Sequence, residues 1–384
     1  MIAPSAITAK PNATNTKGLK VKPAERVLGF SPSFFRLFRY FRLFRTLSSC
    51  FISQENFAIA SSVNYPSKMI KIILIFLIAF GGALSLQQQT KPAQRAMAVT
   101  IDDLPYVASA GQPFLSNAQR TTRRMLGALE AHRAPAIGFV NEGKLQEAGE
   151  RDARVALLQQ WLDAGMTLGN HTYSHPDANQ LTAEQFQDEI TKGEVVTRRL
   201  MTAAKRELRW FRHPMTHTGD TREKKEAIEA FLAARGYRVA PHTIENSDYI
   251  FTVPYSRALR RNDQAGAKRL RDAYLEYTIA VTEFAERVSP QIFGREIPQT
   301  LLIHTNDLNA DCLDEMLKRF EARGYRFITL DEAAADPAYQ TRDTTVSKNG
   351  PTWLWRWMKS LGMNVSFAGD PEPPQWVTDL YSKR

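Results

Sequence analysis

Two imidazoles four residues apart stand in Asn170-His171-Thr172-Tyr173-Ser174-His175-Pro176. That spacing lets both reach one ion, either as neighbours on a helical turn or across a tight loop. A second polar pair, Asp102-Asp103, ends an apolar run that begins at Ala96. Two imidazoles and one carboxylate make a three-ligand site with a position left for water, the pattern of catalytic rather than structural zinc. An ion held in this way polarises an acyl carbonyl and lowers the pKa of its water towards about 7. A carboxylate within hydrogen-bond reach then removes the proton as attack proceeds. Successive strand residues point in opposite directions, so one of Asp102 and Asp103 would bind the ion while the other faces the water. The residues alone leave either assignment open.

Each of these features also has a plain structural reading. Adjacent aspartates are common in solvated turns, and a lone arginine such as Arg212 often serves a surface ion pair worth little. His213 and His217 form a second pair at the same spacing. Pro214 inside that pair argues against a regular helix, and no carboxylate pair accompanies it at a neighbouring strand end, so it ranks below His171 and His175.

The elements that would carry these residues alternate. Strands are expected at 96–101, 136–140, 166–168, 208–211, 237–240, 300–303 and 327–329. Helices are expected from Asn117 to His132, Asp152 to Ala164, Thr182 to about Lys205, Asp220 to Gly236, and Asp311 to Arg323. Thr182-Ala183-Glu184-Gln185 is a capping box, and Asp220 with Glu223 is a second helix start. Seven strands alternating with helices imply a parallel α/β architecture. Asp102-Asp103, His171 with His175, Arg212 and His304 each fall at or just past the C-terminal end of a different strand. Those ends converge on one face of a β/α barrel, so the expected fold is an incomplete barrel of about seven parallel strands with the metal site at their C-terminal ends.

Five stretches, in order, resemble the polysaccharide deacetylases, the group of chitin, peptidoglycan and acetylxylan deacetylases also called the NodB-homology domain. Thr100-Ile101-Asp102-Asp103 is similar to the family's first motif, His171-Thr172-Tyr173-Ser174-His175 to the second, and Phe211-Arg212-His213-Pro214 to the third. Asn246-Ser247-Asp248-Tyr249 is similar to the fourth and Leu302-Ile303-His304 to the fifth. The resemblance implies that Asp102 is the base, that Asp103, His171 and His175 bind a divalent ion, Zn²⁺ first, and that Arg212 pairs with Asp102. It further implies that His304 is the acid, tuned by Asp248. Two departures fall on substrate-lining positions: Met215-Thr216 follows Pro214 where the family commonly has Tyr-Gly, and Tyr249 replaces a tryptophan.

The implied activity is metal-dependent hydrolysis of acetyl groups on an N-acetylated or O-acetylated polysaccharide, whether peptidoglycan, chitin-like or xylan. The alternatives are an amidohydrolase of small amides and a non-catalytic glycan-binding relative. A pure binder needs neither a free base nor an acid. No P-loop, dinucleotide fingerprint or HExxH motif is present.

The chain has 384 residues and a net charge of +10, but residues 1–68 contribute +8 of that charge. From Met69 onward the chain is almost neutral, which removes the case for nucleic acid. Residues 1–68 are expected to be a disordered upstream extension, with Met69 the true initiator. Residues 69–86, with Lys71, an apolar run and a small-residue ending, have the layout of a signal peptide or an N-terminal anchor. The protein is therefore expected to be exported, periplasmic or extracellular, or anchored by an uncleaved signal. Residues 96–337 would form the catalytic barrel, with a helical insertion at about 254–298. Residues 338–384 form a tail whose Trp353, Trp355 and Trp357 are expected to fold back onto the barrel by alternating on one face.

Overall fold

The computed structural model describes residues 95–108 and 113–383; the expectations for residues 1–68 and 69–86 lie outside them. β1 (Arg95–Leu104) is the spine. It is followed by α1 (Phe114–Ala131), β2 (Ala136–Val140), α2 (Arg151–Asp163) and β3 (Thr167–Asn170). Then come α3 (Ala183–Lys192), α4 (Val195–Ala203), β4 (Trp210–Phe211), α5 (Arg222–Ala234), β5 (Arg238–Val239) and β6 (Ile244–Glu245). The remainder is α6 (Asp248–Arg260), α7 (Gln264–Phe293), β7 (Gln299–His304), α8 (Asp307–Ala322), β8 (Tyr325–Ile328), α9 (Leu330–Ala334), α10 (Trp353–Ser360) and α11 (Gln375–Ser382).

All the strand pairings are parallel, in the order β5-β4-β3-β2-β1-β7-β6, with β8 against the first residues of β1. β5 and β6 are the two edges of this path, yet only residues 240–243 separate them in the chain. Five Cα steps of 3.8 Å span at most about 19 Å. Seven flat strands about 4.8 Å apart would set their outermost members about 29 Å apart. The sheet must therefore curl, and the result is an incomplete β/α barrel left open between β5 and β6.

The period of two along β1 sorts its side chains. Met97, Val99 and Ile101 join the large apolar cluster beneath the helices, whereas Ala96 and Ala98 join Ile137, Phe139, Trp210 and Ala240 on the inner face. Thr100 and Asp102 continue that inner row, as Arg212 continues from Trp210. The inner face is thus apolar below and polar at the C-terminal ends.

Several elements differ from expectation. β6 was not anticipated, because two residues carry no periodicity. The single helix expected from Thr182 to Lys205 is two helices broken at Gly193, where an added Cβ would meet the Thr172 carbonyl carbon at 2.4 Å and the Tyr173 nitrogen at 2.7 Å. The backbone of the histidine loop passes against this glycine. α1 begins at Phe114 and buries Asn117 inside it, α5 is capped by Thr221 rather than Asp220, and α8 starts at Asp307 under an Asn306 cap. The insertion holds two helices, α6 and α7. The tail's tryptophans lie on a helix: Trp353 and Trp357, one turn apart, are buried, and Trp355 is only partly so.

Candidate active site

The site grows from the end of β1. Its register with β2 slips between Ile101 and Leu104, and Asp103 adopts a left-handed φ of 74°. A bulge of this kind re-aims side chains. The alternation expected for the two aspartates is broken here: His171 Nε2 lies 3.8 Å from Asp102 Oδ2 and 3.9 Å from Asp103 Oδ1. Both carboxylates face the same imidazole.

The histidine motif is a loop, not a helical turn. Thr172 and His175 have φ of 68° and 62°, conformations uncommon outside glycine and rarest for a β-branched residue such as Thr172, which persist where the surroundings over-determine them. The loop's own polar groups, with Glu189 of α3, hold it. Thr172 N–H donates to Asn170 Oδ1 at 2.8 Å, His175 N–H to Thr172 Oγ1 at 3.1 Å, and Ser174 N–H to Glu189 Oε2 at 2.7 Å. His171 Nδ1 stands 2.7 Å from the Arg212 carbonyl. A carbonyl only accepts, so Nδ1 carries the proton and Nε2 presents its lone pair. Burial holds His171 well below the ordinary imidazole range, with the nearby His175 acting in the same direction.

Asp103 Oδ1, His171 Nε2 and His175 Nε2 converge: His175 Nε2 is 3.6 Å from Asp103 Oδ1, and the three donor atoms all lie within 4.8 Å of one another. Two ligands about 2.1 Å from a tetrahedral centre are about 3.4 Å apart. The set therefore suits a small divalent ion. Asp103 Oδ1 is buried and has no hydrogen-bond donor of good geometry, which an ion would satisfy. Burial would raise the Asp103 carboxyl, but Lys144, His175, His304 and His171 together hold it below the usual carboxylate range.

Asp102 and His304 are register partners on β1 and β7. Burial pushes Asp102 up to about 6, against the lowering influence of Arg212 and His304. The resemblance implies a pairing in which the Arg212 charge would lower this carboxylate and hold it ionised, but burial outweighs that charge and the net shift is upward. Arg212 is fully buried and donates from Nη2 to Thr100 Oγ1 at 2.8 Å rather than to Asp102, and its Nε and Nη1 have no partner. It acts on Asp102 through space. Asp248, the first residue of α6, is buried and accepts from His304 N–H at 2.9 Å, from His304 Nδ1 at 2.8 Å and from Asn306 Nδ2 at 3.1 Å, with Asn309 Nδ2 also donating. Burial lowers His304, but Asp248's charge and hydrogen bond, helped by Asp103 and Asp102, outweigh it and raise His304 to about 10.

Residues 89–230 match the family model of polysaccharide deacetylase. Over that stretch the chain carries a polysaccharide deacetylase domain. Asp102, Asp103, His171, His175 and Arg212 lie inside the matched stretch; Asp248 and His304 lie beyond it. No curated protein shows a matching sequence. Among solved structures the chain is similar to a family 4 carbohydrate esterase from Streptomyces lividans in complex with acetate, at 19% identity over 62% of this chain and 95% of that one, TM-score 0.39. It is also similar to a peptidoglycan deacetylase from Bacillus subtilis, at 18% identity over 64% and 94%, TM-score 0.40. A third is a family 4 pseudoenzyme from Bacillus anthracis, at 20% identity over 63% and 66%, TM-score 0.42.

The competing pair in the deacetylase domain does not converge. His213 stacks on Phe186, meets Phe211 edge-on and has neither ring nitrogen hydrogen-bonded, and His217 turns to Asp177 at 2.8 Å. His213 instead borders a separate cavity of about 190 Å³, shared with Trp210, Lys225, Asp343 and Trp353. Sequence reasoning missed Lys144, whose ammonium is 3.2 Å from Asp103 Oδ1. It lies on the turn just after β2, so the strand-end rule that found the other residues applies to it as well. Asn306 and Asn309, which complete the Asp248 network, carried no signal beyond nearness to His304.

Proposed function

We propose that the chain is a metal-dependent hydrolase that removes acetyl groups from an N- or O-acetylated polysaccharide of a cell wall or the environment. The observation that carries this reading is the placement of Asp102 and His304 as register partners on adjacent strands, beside the Asp103, His171 and His175 donor set. Asp103, His171 and His175 would hold the ion. When bound, a divalent ion, Zn²⁺ in this reading, supplies a Lewis acid for the acyl oxygen and lowers the pKa of a water towards about 7. Asp102, whose Oδ2 lies 3.8 Å from His171 Nε2, takes the proton from the attacking water. Arg212, on the same inner face, keeps positive charge beside that carboxylate. His304 gives Nδ1–H to Asp248, which leaves Nε2 to carry the proton for the departing amine or alkoxide.

The signal-like residues 69–86 favour an exported protein acting on extracellular glycan, or one anchored by an uncleaved signal. Among the described residues no helix is long and apolar enough to cross a membrane. Acetate release from chitin oligomers, peptidoglycan and acetylxylan, measured with added Zn²⁺ and after chelation, tests the reading. Release from at least one glycan, lost on chelation and restored by the ion, is expected. Release only from small acetamides would favour an amidohydrolase, and no release by the fully metal-loaded protein would favour a glycan binder.

A further inference from the structure

The tail beyond the barrel reaches into the site's supports. Residues 213–218 lead from Arg212 towards α5, and within them Met215 and Thr216 both take left-handed φ, 53° and 54°. Neither is a glycine, so something outside the loop must hold them there. That holder is a fully buried arginine on α10. Arg356 donates from Nη2 to the Thr216 carbonyl at 2.8 Å and from Nη1 to Thr218 Oγ1 at 3.1 Å, while Asp343 accepts from Nη1 at 3.1 Å and the Pro351 carbonyl from Nε at 3.1 Å. Lys225 of α5 meets the same Asp343 oxygen at 3.0 Å. Thr216 Oγ1 donates to the Gly350 carbonyl at 2.9 Å, and a Cβ on Gly350 would meet Thr216 Oγ1 at 2.0 Å and the Met215 carbonyl oxygen at 2.1 Å. Tail and loop are packed too closely for any side chain between them.

The hold extends to the histidine loop. His217 bonds Asp177, two residues past His175, and Asn179 Nδ2 donates to the Lys348 carbonyl at 3.1 Å. Trp353 N–H donates to the His242 carbonyl at 2.8 Å, in the stretch that bridges the open edges of the sheet. The tail thus touches the connections that follow β3, β4 and β5.

We propose that Arg356 is a positioning residue for the active site: from α10 it sets the conformation of residues 213–218 and, through His217 and Asp177, the place of His175. The proposal rests on the metal-site reading above and adds a part of the chain that lies outside the stretch matching the deacetylase family.

The test compares Arg356→Met, Arg356→Lys and Thr218→Val with Trp357→Phe, a buried change on the same helix that leaves the loop's hydrogen bonds intact. Co²⁺ alone is titrated into each full-length protein, followed by its visible spectrum, with kcat and KM for acetate release measured alongside. Groups that orient metal ligands typically contribute about 10–100-fold in affinity or activity. Arg356→Met is therefore expected to weaken Co²⁺ binding and lower kcat by about tenfold or more, with Arg356→Lys recovering part of both. Thr218→Val should show a smaller loss in the same direction, and Trp357→Phe should lower only the melting temperature. Wild-type Co²⁺ affinity and kcat in folded Arg356→Met overturns the proposal. If Arg356→Met does not fold, the same result in Arg356→Lys together with Thr218→Val overturns it. Should the wild type bind no Co²⁺, the metal reading fails, and hydrogen exchange at residues 175–179 and 213–218 decides the clamp. Faster exchange there in Arg356→Lys but not in Trp357→Phe supports it, and equal exchange rejects it.

Discussion

Lys144 places its ammonium 3.2 Å from Oδ1 of Asp103, the oxygen that also faces His175 Nε2 at 3.6 Å and His171 Nε2 at 3.9 Å. It donates as well to the Asp103 main-chain carbonyl at 3.1 Å. A divalent ion on that oxygen would stand within a few ångströms of a fixed positive charge, so Lys144 competes for the metal's anionic ligand. Even a residual repulsion of about 1.4 kcal/mol is tenfold in affinity. Lys144→Met is expected to bind Zn²⁺ about tenfold more tightly by isothermal titration. Unchanged affinity would remove Lys144 from the balance of charge at the site.

His171 has no freedom to serve elsewhere, because its Nδ1 is committed to the Arg212 carbonyl and its ring is buried. His171→Ala should abolish bound metal and acetate release together, as measured by elemental analysis and the release assay. A variant that keeps a full equivalent of metal would show that Asp103, His171 and His175 are not the ligand set.

The convergence of Asp103, His171 and His175 was legible because each stands at or just past the C-terminal end of an apolar strand, and strand C-termini share a face whatever the helices between them do. What periodicity could not show was the bulge at Asp102-Asp103. A slip in register depends on β2 and leaves no trace in the residues of β1. The same limit applies to Arg212, whose partner Thr100 was in view in the first motif but chosen only by the fold. The two-residue strand β6 and the break at Gly193 are tertiary decisions, the latter made by the backbone of Thr172 and Tyr173. The Arg356–Asp343–Lys225 cluster joins segments more than a hundred residues apart, and nothing local marks it. The tryptophans did signal that the tail packs on the barrel, but their i, i+4 burial was misread as strand alternation.

Gly193 ties this packing to stability. Its substitution by alanine drives a methyl group against main-chain atoms of Thr172 and Tyr173 at 2.4–2.7 Å, and backbone cannot yield as a flexible side chain can. Overpacking typically costs about 1–3 kcal/mol. Gly193→Ala should lower the melting temperature and also weaken metal binding, since the loop it displaces carries His175. A drop in melting temperature with metal affinity unchanged would separate the loop's packing from the ligand geometry.

The pH dependence follows from His304 and Asp248. Burial alone would lower the imidazole, yet the Asp248 carboxylate, which accepts from both the ring and the backbone of His304, brings it up to about 10. The protonated imidazole is the acid that the leaving group needs, so kcat/KM should hold through neutral pH and fall as pH rises through the His304 value. Asp248→Asn keeps a hydrogen-bonding group but removes the negative charge. An opposite charge this close typically shifts a pKa by about 1–3 units, so in Asp248→Asn the alkaline limb should move to lower pH by that order while bound metal stays constant. His304→Ala should lack the limb and lose about 10²–10⁴-fold in kcat, the usual contribution of a general acid. An alkaline limb that stays in place in both variants belongs to another group, and His304 then has no part in proton transfer to the leaving group.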